Sequence, residues 1–368
     1  MKQVIGIYCG VESIVDEDDI LKNGAGGSET WACELSMAFA NRGFHVIVFS
    51  GCEIWHFGTN GVEYVPATLF ERRCEYQRFD YFISSRRVDI LSNKISCNNI
   101  YVMSHDISLW FCDDYDGLKL DIVKKIACLS NYHLWCTKSW YQNKLSDDRL
   151  FLTSNGVNMS LYNDVDLQKK ENMMVWSSRK ERGLHFFVTK VMPKILEKVP
   201  DFRLKVCLYS SDLDNDFLAC NNIEFLGKVG KEKLASLQKE SKIWIYPNLG
   251  YYDSGEYKLF QETFCITAIE NGAAKNAILC GNMGGLQTTL SGYSKLIGDK
   301  YYTGAPYGGI YGDDNLENYA KELANEAIKI LTDNKYGEKI ALESYDICKK
   351  YTWDYAVDSW LKEWKIKY

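Results

Sequence analysis

Apolar and polar positions along the first 150 residues fall into two regimes. Short apolar runs, QVIGIYC (3–9), FHVIVFS (44–50), NIYVMSH (99–105) and KIACLS (125–130), read as buried strands, while residues 28–41 place apolar side chains at helical spacing. This alternation predicts parallel α/β packing. The stretch TSNGVNMSLYNDVDLQKKEN (153–172) has no apolar period and reads as the connection to a second domain.

Beyond it the pattern restarts with MMVWSS, a helix over 184–198, FRLKVCLY, IEFLG, a helix over 231–240, IWIYP, a helix over 266–274 and NAILCG. These elements predict a second α/β sheet with no sequence repeat of the first. The closing segment is helical in period and its end, YTWDYAVDSWLKEWKIKY, is rich in Trp and Tyr, so a terminal helix is expected to pack back on the first domain. The expected domains are therefore 1–165 and 166–350, followed by a helix within 351–368.

Composition agrees with two globular domains: 368 residues, 46% of them apolar and 25% charged. The net charge of -6 is uneven, with 15 Lys and Arg against 21 Asp and Glu in residues 1–165 and 28 against 28 afterwards. Neither half is basic enough for nucleic acid or a strongly anionic membrane to be the main partner. The 13 cysteines are scattered singly without a C-x-x-C pair, the usage of buried, reduced thiols. No run reaches the roughly 18 apolar residues of a membrane helix, and the first ten residues do not form a signal peptide. A soluble, cytoplasmic protein is expected, with at most weak peripheral membrane contact.

Candidate chemistry lies in three stretches. In GAGGSETW, Gly24 and Gly26 fit the first two positions of a dinucleotide fingerprint, but Glu29 occupies the third and some fourteen residues separate the loop from the first strand. What remains is a glycine-lined loop feeding a helix, with Ser28 as expected N-cap: either a plain turn or an anion site in which Gly26 and Gly27 admit a phosphate. In QETFCITAIENGAAKNAILCGNMGGL, Glu262 is expected in a loop and Glu270 in the following helix. Their carboxylates suit sugar or ribose hydroxyls, and the N–H groups of Phe264 and Cys265 suit a phosphate. In VWSSRKERGLHFF, Arg179 and Arg182 follow a strand, where two guanidiniums can clamp a diphosphate; two ordinary surface arginines are the alternative.

Together, GGSE at the first helix, SNGVN before the second domain, SSRKERGL after its first strand, ETFCITAIE and the terminal YTWDYAVDSW resemble the retaining glycosyltransferases of family 4. The resemblance implies the GT-B fold, two Rossmann-like α/β/α domains facing across a cleft, with a C-terminal helix crossing back to the N-terminal domain. It also implies a UDP- or GDP-sugar as donor and substrate, no tightly bound cofactor and no metal. The acceptor would be a hydroxyl of a glycan, lipid-linked or other molecule.

Carried over by residue, Arg179 and Arg182 would hold the diphosphate, Arg182 standing where lysine is common. Glu262 would contact the transferred sugar and Glu270 the ribose, while Gly26 and Gly27 would lie against the diphosphate or sugar. His105 of YVMSHD would be the active-site histidine; by itself, without that context, it reads as a hydrogen-bonded structural residue at a strand end. The chain departs from the pattern at Cys265, where many members have glycine, and at Gln287, where glutamate is usual. The resemblance further implies that the acceptor attacks from the face the diphosphate leaves, without a protein nucleophile. A nucleotide-sugar epimerase or hydrolase and a non-catalytic nucleotide-sugar binder are the other classes compatible with these residues. CDDYDG (112–117) reads as a solvated loop, and the Tyr-rich stretch before Glu262 as either packing or a stacking surface.

Overall fold

The computed structural model describes residues 2–107, 121–141, 145–208, 220–249, 252–253, 256–257, 262–303, 309–310 and 312–367. CDDYDG and residues 250–251, 254–255 and 258–261 of the Tyr-rich stretch lie outside them. The chain divides into two compact units, Met1–Gly156 with Tyr351–Tyr368, and Val157–Lys350.

In the first unit, β1 (Val4–Tyr8) is followed by α1 (Glu17–Asn23), α2 (Gly27–Asn41), β2 (His45–Ser50), β3 (His56–Phe57) and β4 (Glu63–Pro66). Then come α3 (Phe70–Cys74), β5 (Tyr81–Ser85), β6 (Ile100–Met103), β7 (Val123–Cys128), α4 (Asn131–Trp140) and β8 (Leu150–Leu152). The eight strands form one sheet in the order β3-β4-β2-β1-β5-β6-β7-β8, parallel except for the β3–β4 pair. Ile5, Ile7, Val46, Val48, Ile83 and Val102 are completely buried, as near-continuous apolar strands in a sheet covered on both faces should be. Chain progression reverses between β1 and β5, so their carboxyl ends border a topological switch point, where open α/β sheets bind ligands.

Helix α1 was not expected. Only Ile20 of its seven residues is buried, too little to show an apolar period. Its local signals are nonetheless clear, with Asp16 accepting from the Asp19 N–H at 3.0 Å and three acidic residues in the first turn.

The second unit begins with β9 (Met173–Trp176) and a helical segment whose ends are α5 (Leu184–Phe186) and α6 (Met192–Leu196). The expected single helix over this segment is interrupted by a π-helical turn, Phe187–Val191, ahead of Pro193, which has no N–H to give the preceding turn. Next are β10 (Arg203–Val206), β11 (Ile223–Phe225), α7 (Lys231–Glu240), β12 (Ile243–Tyr246), and the β13 (Tyr252–Asp253) and β14 (Glu256–Tyr257) ribbon. The unit continues with α8 (Ile266–Ala273), β15 (Ala277–Gly281), α9 (Leu286–Thr289), β16 (Leu296–Ile297), the β17 (Tyr302–Thr303) and β18 (Gly309–Ile310) ribbon, α10 (Asp313–Thr332) and α11 (Asn334–Cys348).

Parallel strands run β11-β10-β9 and β12-β15-β16. β9 and β12 lie side by side, linked by the Lys242 N–H to the Met173 carbonyl at 3.1 Å and by a Glu171–Ser241 bridge. Order reverses here too, so the second unit has its switch point between β9 and β12.

The polar stretch is packed onto the second unit beyond residue 156. Tyr162 donates to Gln238 at 2.7 Å, and Lys170 Nζ donates to the Ser241 carbonyl and to Asn276 Oδ1, each at 2.7 Å.

The terminal helix α12 (Trp353–Glu363) returns to the first unit, as expected. Thr352 caps it by accepting from the Tyr355 N–H at 3.1 Å, and Trp364 stacks on Tyr81 with ring centroids 3.9 Å apart. Arg42 and Lys125 pair with Asp354 and Glu363 at 3.0 and 2.8 Å. Gly156 permits this docking: a Cβ there would stand 2.5 Å from the Trp353 nitrogen.

Candidate functional site

In the second unit, Arg182 ends a 3-10 turn, Lys180–Arg182, directly after β9. Gly183 closes the turn at φ 108, a conformation that favours glycine, and sends the chain into α5. Arg182 thus stands at the β9 side of the switch point. Tyr246 ends β12 on the other side.

Both reach the same atom. Arg182 Nη1 lies 3.0 Å from Glu262 Oε1, and the Tyr246 hydroxyl donates to that oxygen at 2.6 Å. Glu262 is 4% exposed, whereas about a third of the Arg182 side chain (32%) stays open to solvent. Burial is the largest influence and works against the guanidinium charge, but Glu262, Tyr246 and Cys265 together outweigh it and raise the Arg182 pKa. Burial, and then Glu262, push the Tyr246 phenol well above its ordinary value, so it remains a hydrogen-bond donor. Among the described residues, Glu262 Oε2 has no hydrogen-bond partner and can accept from a ligand hydroxyl.

Glu262 lies in the loop and Glu270 inside α8, each on its own cation. Glu270 Oε1 is 2.6 Å from Lys231 Nζ. Sequence reading missed both Tyr246 and Lys231. The signals were a tyrosine ending an apolar strand before Pro247, and a lysine opening a helix against its dipole.

Cys265 precedes α8 at φ 77 and ψ 84, the left-handed region that costs a non-glycine residue about 1–2 kcal/mol. This is the physical reason for glycine at the corresponding place in the resemblance. Burial and then Glu262 drive the Cys265 thiol well above its usual range, which makes it a packing group and not a nucleophile. Phe264 is 1% exposed, and its carbonyl accepts from Thr289 at 2.7 Å. Gly285 lets the next loop pack on the glutamate loop: a Cβ there would meet the Thr263 carbonyl oxygen at 2.3 Å. Arg179 is exposed, makes no ion pair among the described residues, and is not joined to Glu262.

In the first unit, Gly26 is the N-cap of α2 and Gly27 its first residue. Ser28, the expected N-cap, instead lies within the first turn. Its hydroxyl donates to Glu29 Oε2 at 2.9 Å and accepts from Arg86 Nη1 at 2.8 Å. A glycine cap leaves the first amides of α2 to other acceptors.

Arg86 follows β5 with φ 65, a left-handed outlier, and its Nε is 2.9 Å from Asp106. Such strain clusters at functional sites. His105 lies at the end of β6, 9% exposed, with Nε2 3.1 Å from Ser85 Oγ and its ring edge-on to Trp31 at 4.9 Å between centroids. Burial first, then Arg86 and His133, hold its pKa well below the ordinary value, so the imidazole is neutral near pH 7.

The loop carrying His105 is pinned by His133. Its Nε2 donates to the Asp106 carbonyl at 2.8 Å, while Nδ1 accepts from the Leu129 N–H at 3.1 Å. Both ring nitrogens are committed to the neutral tautomer, and burial lowers the pKa to about 4. Between pH 6.5 and 4 the unfolded chain therefore binds more protons at this site, and its contribution to stability is lost as pH falls through that window. Urea midpoints over that range should fall more steeply for wild type than for His133→Asn; equal slopes would remove His133 as the cause.

No protein-family model and no curated relative matches this chain. Among solved structures, it is similar to the sucrose-phosphate synthase of Thermosynechococcus elongatus, with TM-score 0.69 and 14% identity over 99% of this chain and 98% of that one. A glycosyltransferase from Rickettsia africae gives TM-score 0.66 and 16% identity over 99% and 98%. HepE of Anabaena, solved with UDP-glucose, gives 0.64 and 11% over 98% and 99%. The chain has the GT-B fold over its full length.

Proposed function

We propose that this protein is a retaining glycosyltransferase of the family 4 type, moving a sugar from a UDP- or GDP-sugar to an acceptor hydroxyl. The observation that carries the reading is the convergence of Arg182, Tyr246 and Glu262 at the second unit's switch point, where about a third of the Arg182 side chain (32%) is exposed. Of the GT-B neighbours, one is a sucrose-phosphate synthase and one a glycosyltransferase by name, and HepE was solved with UDP-glucose.

In this reading the second unit holds the donor. Arg182 and Arg179 neutralise the departing diphosphate, Glu262 Oε2 accepts from a hydroxyl of the transferred sugar, and Glu270 accepts from the ribose. Gly26 and Gly27 offer backbone donors to donor oxygens. The first unit presents the acceptor. A leaving phosphate oxygen takes the acceptor proton on the same face, so the protein contributes orientation and charge stabilisation and no nucleophile. With two guanidiniums supplying the positive charge, transfer should be insensitive to EDTA.

The test is a thermal-shift screen of UDP, GDP and their sugar conjugates, followed by product analysis with the stabilising donor. A new glycoside with retained anomeric configuration is expected. An altered nucleotide sugar or free sugar alone would assign the site to an epimerase or hydrolase; donor binding without turnover would leave a binding protein.

A further inference from the structure

The Lys231–Glu270 pair is buried, with side chains 12% and 8% exposed and Nζ 2.6 Å from Oε1. Lys231 opens α7, where a cation faces the positive end of the helix dipole. The preceding Gly230 supplies no side-chain cap to offset that placement. Desolvating two charges is costly in addition, and an apolar pair of the same volume is often equally or more stabilising. Fold stability alone therefore accounts poorly for an ammonium and a carboxylate at these positions. Glu270 Oε1 is taken by the lysine, whereas among the described residues Oε2 has no hydrogen-bond partner. The lysine fixes one oxygen and so determines where the other points.

Resting on the donor reading above, we propose that Lys231 is a positioning residue for nucleoside recognition: it turns Glu270 so that Oε2 accepts from the ribose hydroxyls of a ribonucleoside diphosphate, making this pair the group that distinguishes ribose from deoxyribose. A hydrogen bond to a charged acceptor gives roughly 10- to 100-fold discrimination, and only if the acceptor is held in place.

The experiment measures binding of UDP and GDP and their 2′-deoxy and 3′-deoxy counterparts by calorimetry. The proteins are wild type, Lys231→Met, Lys231→Arg and the exchanged pair Lys231→Glu with Glu270→Lys. Wild type should favour at least one ribonucleotide about 10-fold or more over its deoxy forms. Lys231→Met should weaken the ribonucleotide, leave the deoxy forms nearly unchanged and so collapse the ratio, and the donor KM should rise more than kcat falls. Lys231→Arg should recover part of the preference. The exchanged pair keeps an ion pair and should recover thermal stability without recovering the preference.

A wild-type ratio in Lys231→Met, or in the exchanged pair, overturns the role of Lys231 while leaving the donor reading intact. No binding of any nucleotide by wild type removes the donor reading and this inference with it.

Discussion

Replacing Arg182 with alanine should lower kcat for transfer by about 10²- to 10³-fold, the loss typical of removing one preorganised donor to charge that develops in the transition state. Its guanidinium is anchored on Glu262 while about a third of the side chain (32%) is exposed, so it can meet a diphosphate with little reorganisation. The same change leaves Glu262 buried with, among the described residues, only Tyr246 as a side-chain donor. A stability loss of about 1–3 kcal/mol should therefore accompany the kinetic loss.

Two further variants separate these effects. Arg182→Lys keeps the charge without the planar fork and should fall between wild type and alanine. Adding Glu262→Gln to Arg182→Ala removes the orphaned charge and should restore part of the stability without restoring transfer. Steady-state rates with saturating donor and acceptor, alongside urea midpoints, check both; turnover at the wild-type rate in a folded Arg182→Ala protein would end the assignment.

Replacing Trp360 with alanine should cost about 3–5 kcal/mol of stability. The side chain is fully buried and lies edge-on to Phe151 and Tyr101, with centroids 4.8 and 5.7 Å away. Its indole Nε1 is buried and, among the described residues, has no hydrogen-bond partner. The N–H therefore contributes nothing to offset its desolvation, and Trp360→Phe, which keeps a ring, should stay within about 1.5 kcal/mol of wild type. Urea denaturation followed through a signal from the first unit measures both. A Phe variant as damaged as the Ala variant would show that the indole nitrogen, and not the packed ring, anchors the helix.

Particular residues show how far the chain could be read unaided. The apolar runs at 3–9, 44–50 and 243–247 contain β1, β2 and β12 because strands covered on both faces must be apolar along their whole length. The terminal helix was legible from its Trp and Tyr spacing, and Glu262 and Glu270 separated into loop and helix as their context implied. Helix α1 and the π-helical turn at Phe187–Val191 left no such trace, since seven residues with one buried side chain and a single altered turn fall below the resolution of any apolar period. Ser28 was misplaced for a related reason: serine is a favoured cap, yet here the glycine two residues earlier takes that role and frees the hydroxyl for Arg86.

By itself, the sequence determined the longer apolar strands and helices, their alternation, and which residue types were available for sugar and phosphate chemistry, because periodicity and local side-chain chemistry are properties of neighbours along the chain; β4, β5 and β8, too short or too mixed to show a period, emerged only in the structure. Only the tertiary structure decided the pairings. Arg182 meets Glu262 across 80 positions, Tyr246 meets it across 16, and Lys231 meets Glu270 across 39. These contacts follow from strand order and from where each unit's sheet reverses direction, and strand order is set by the packing of entire elements, which no local pattern encodes.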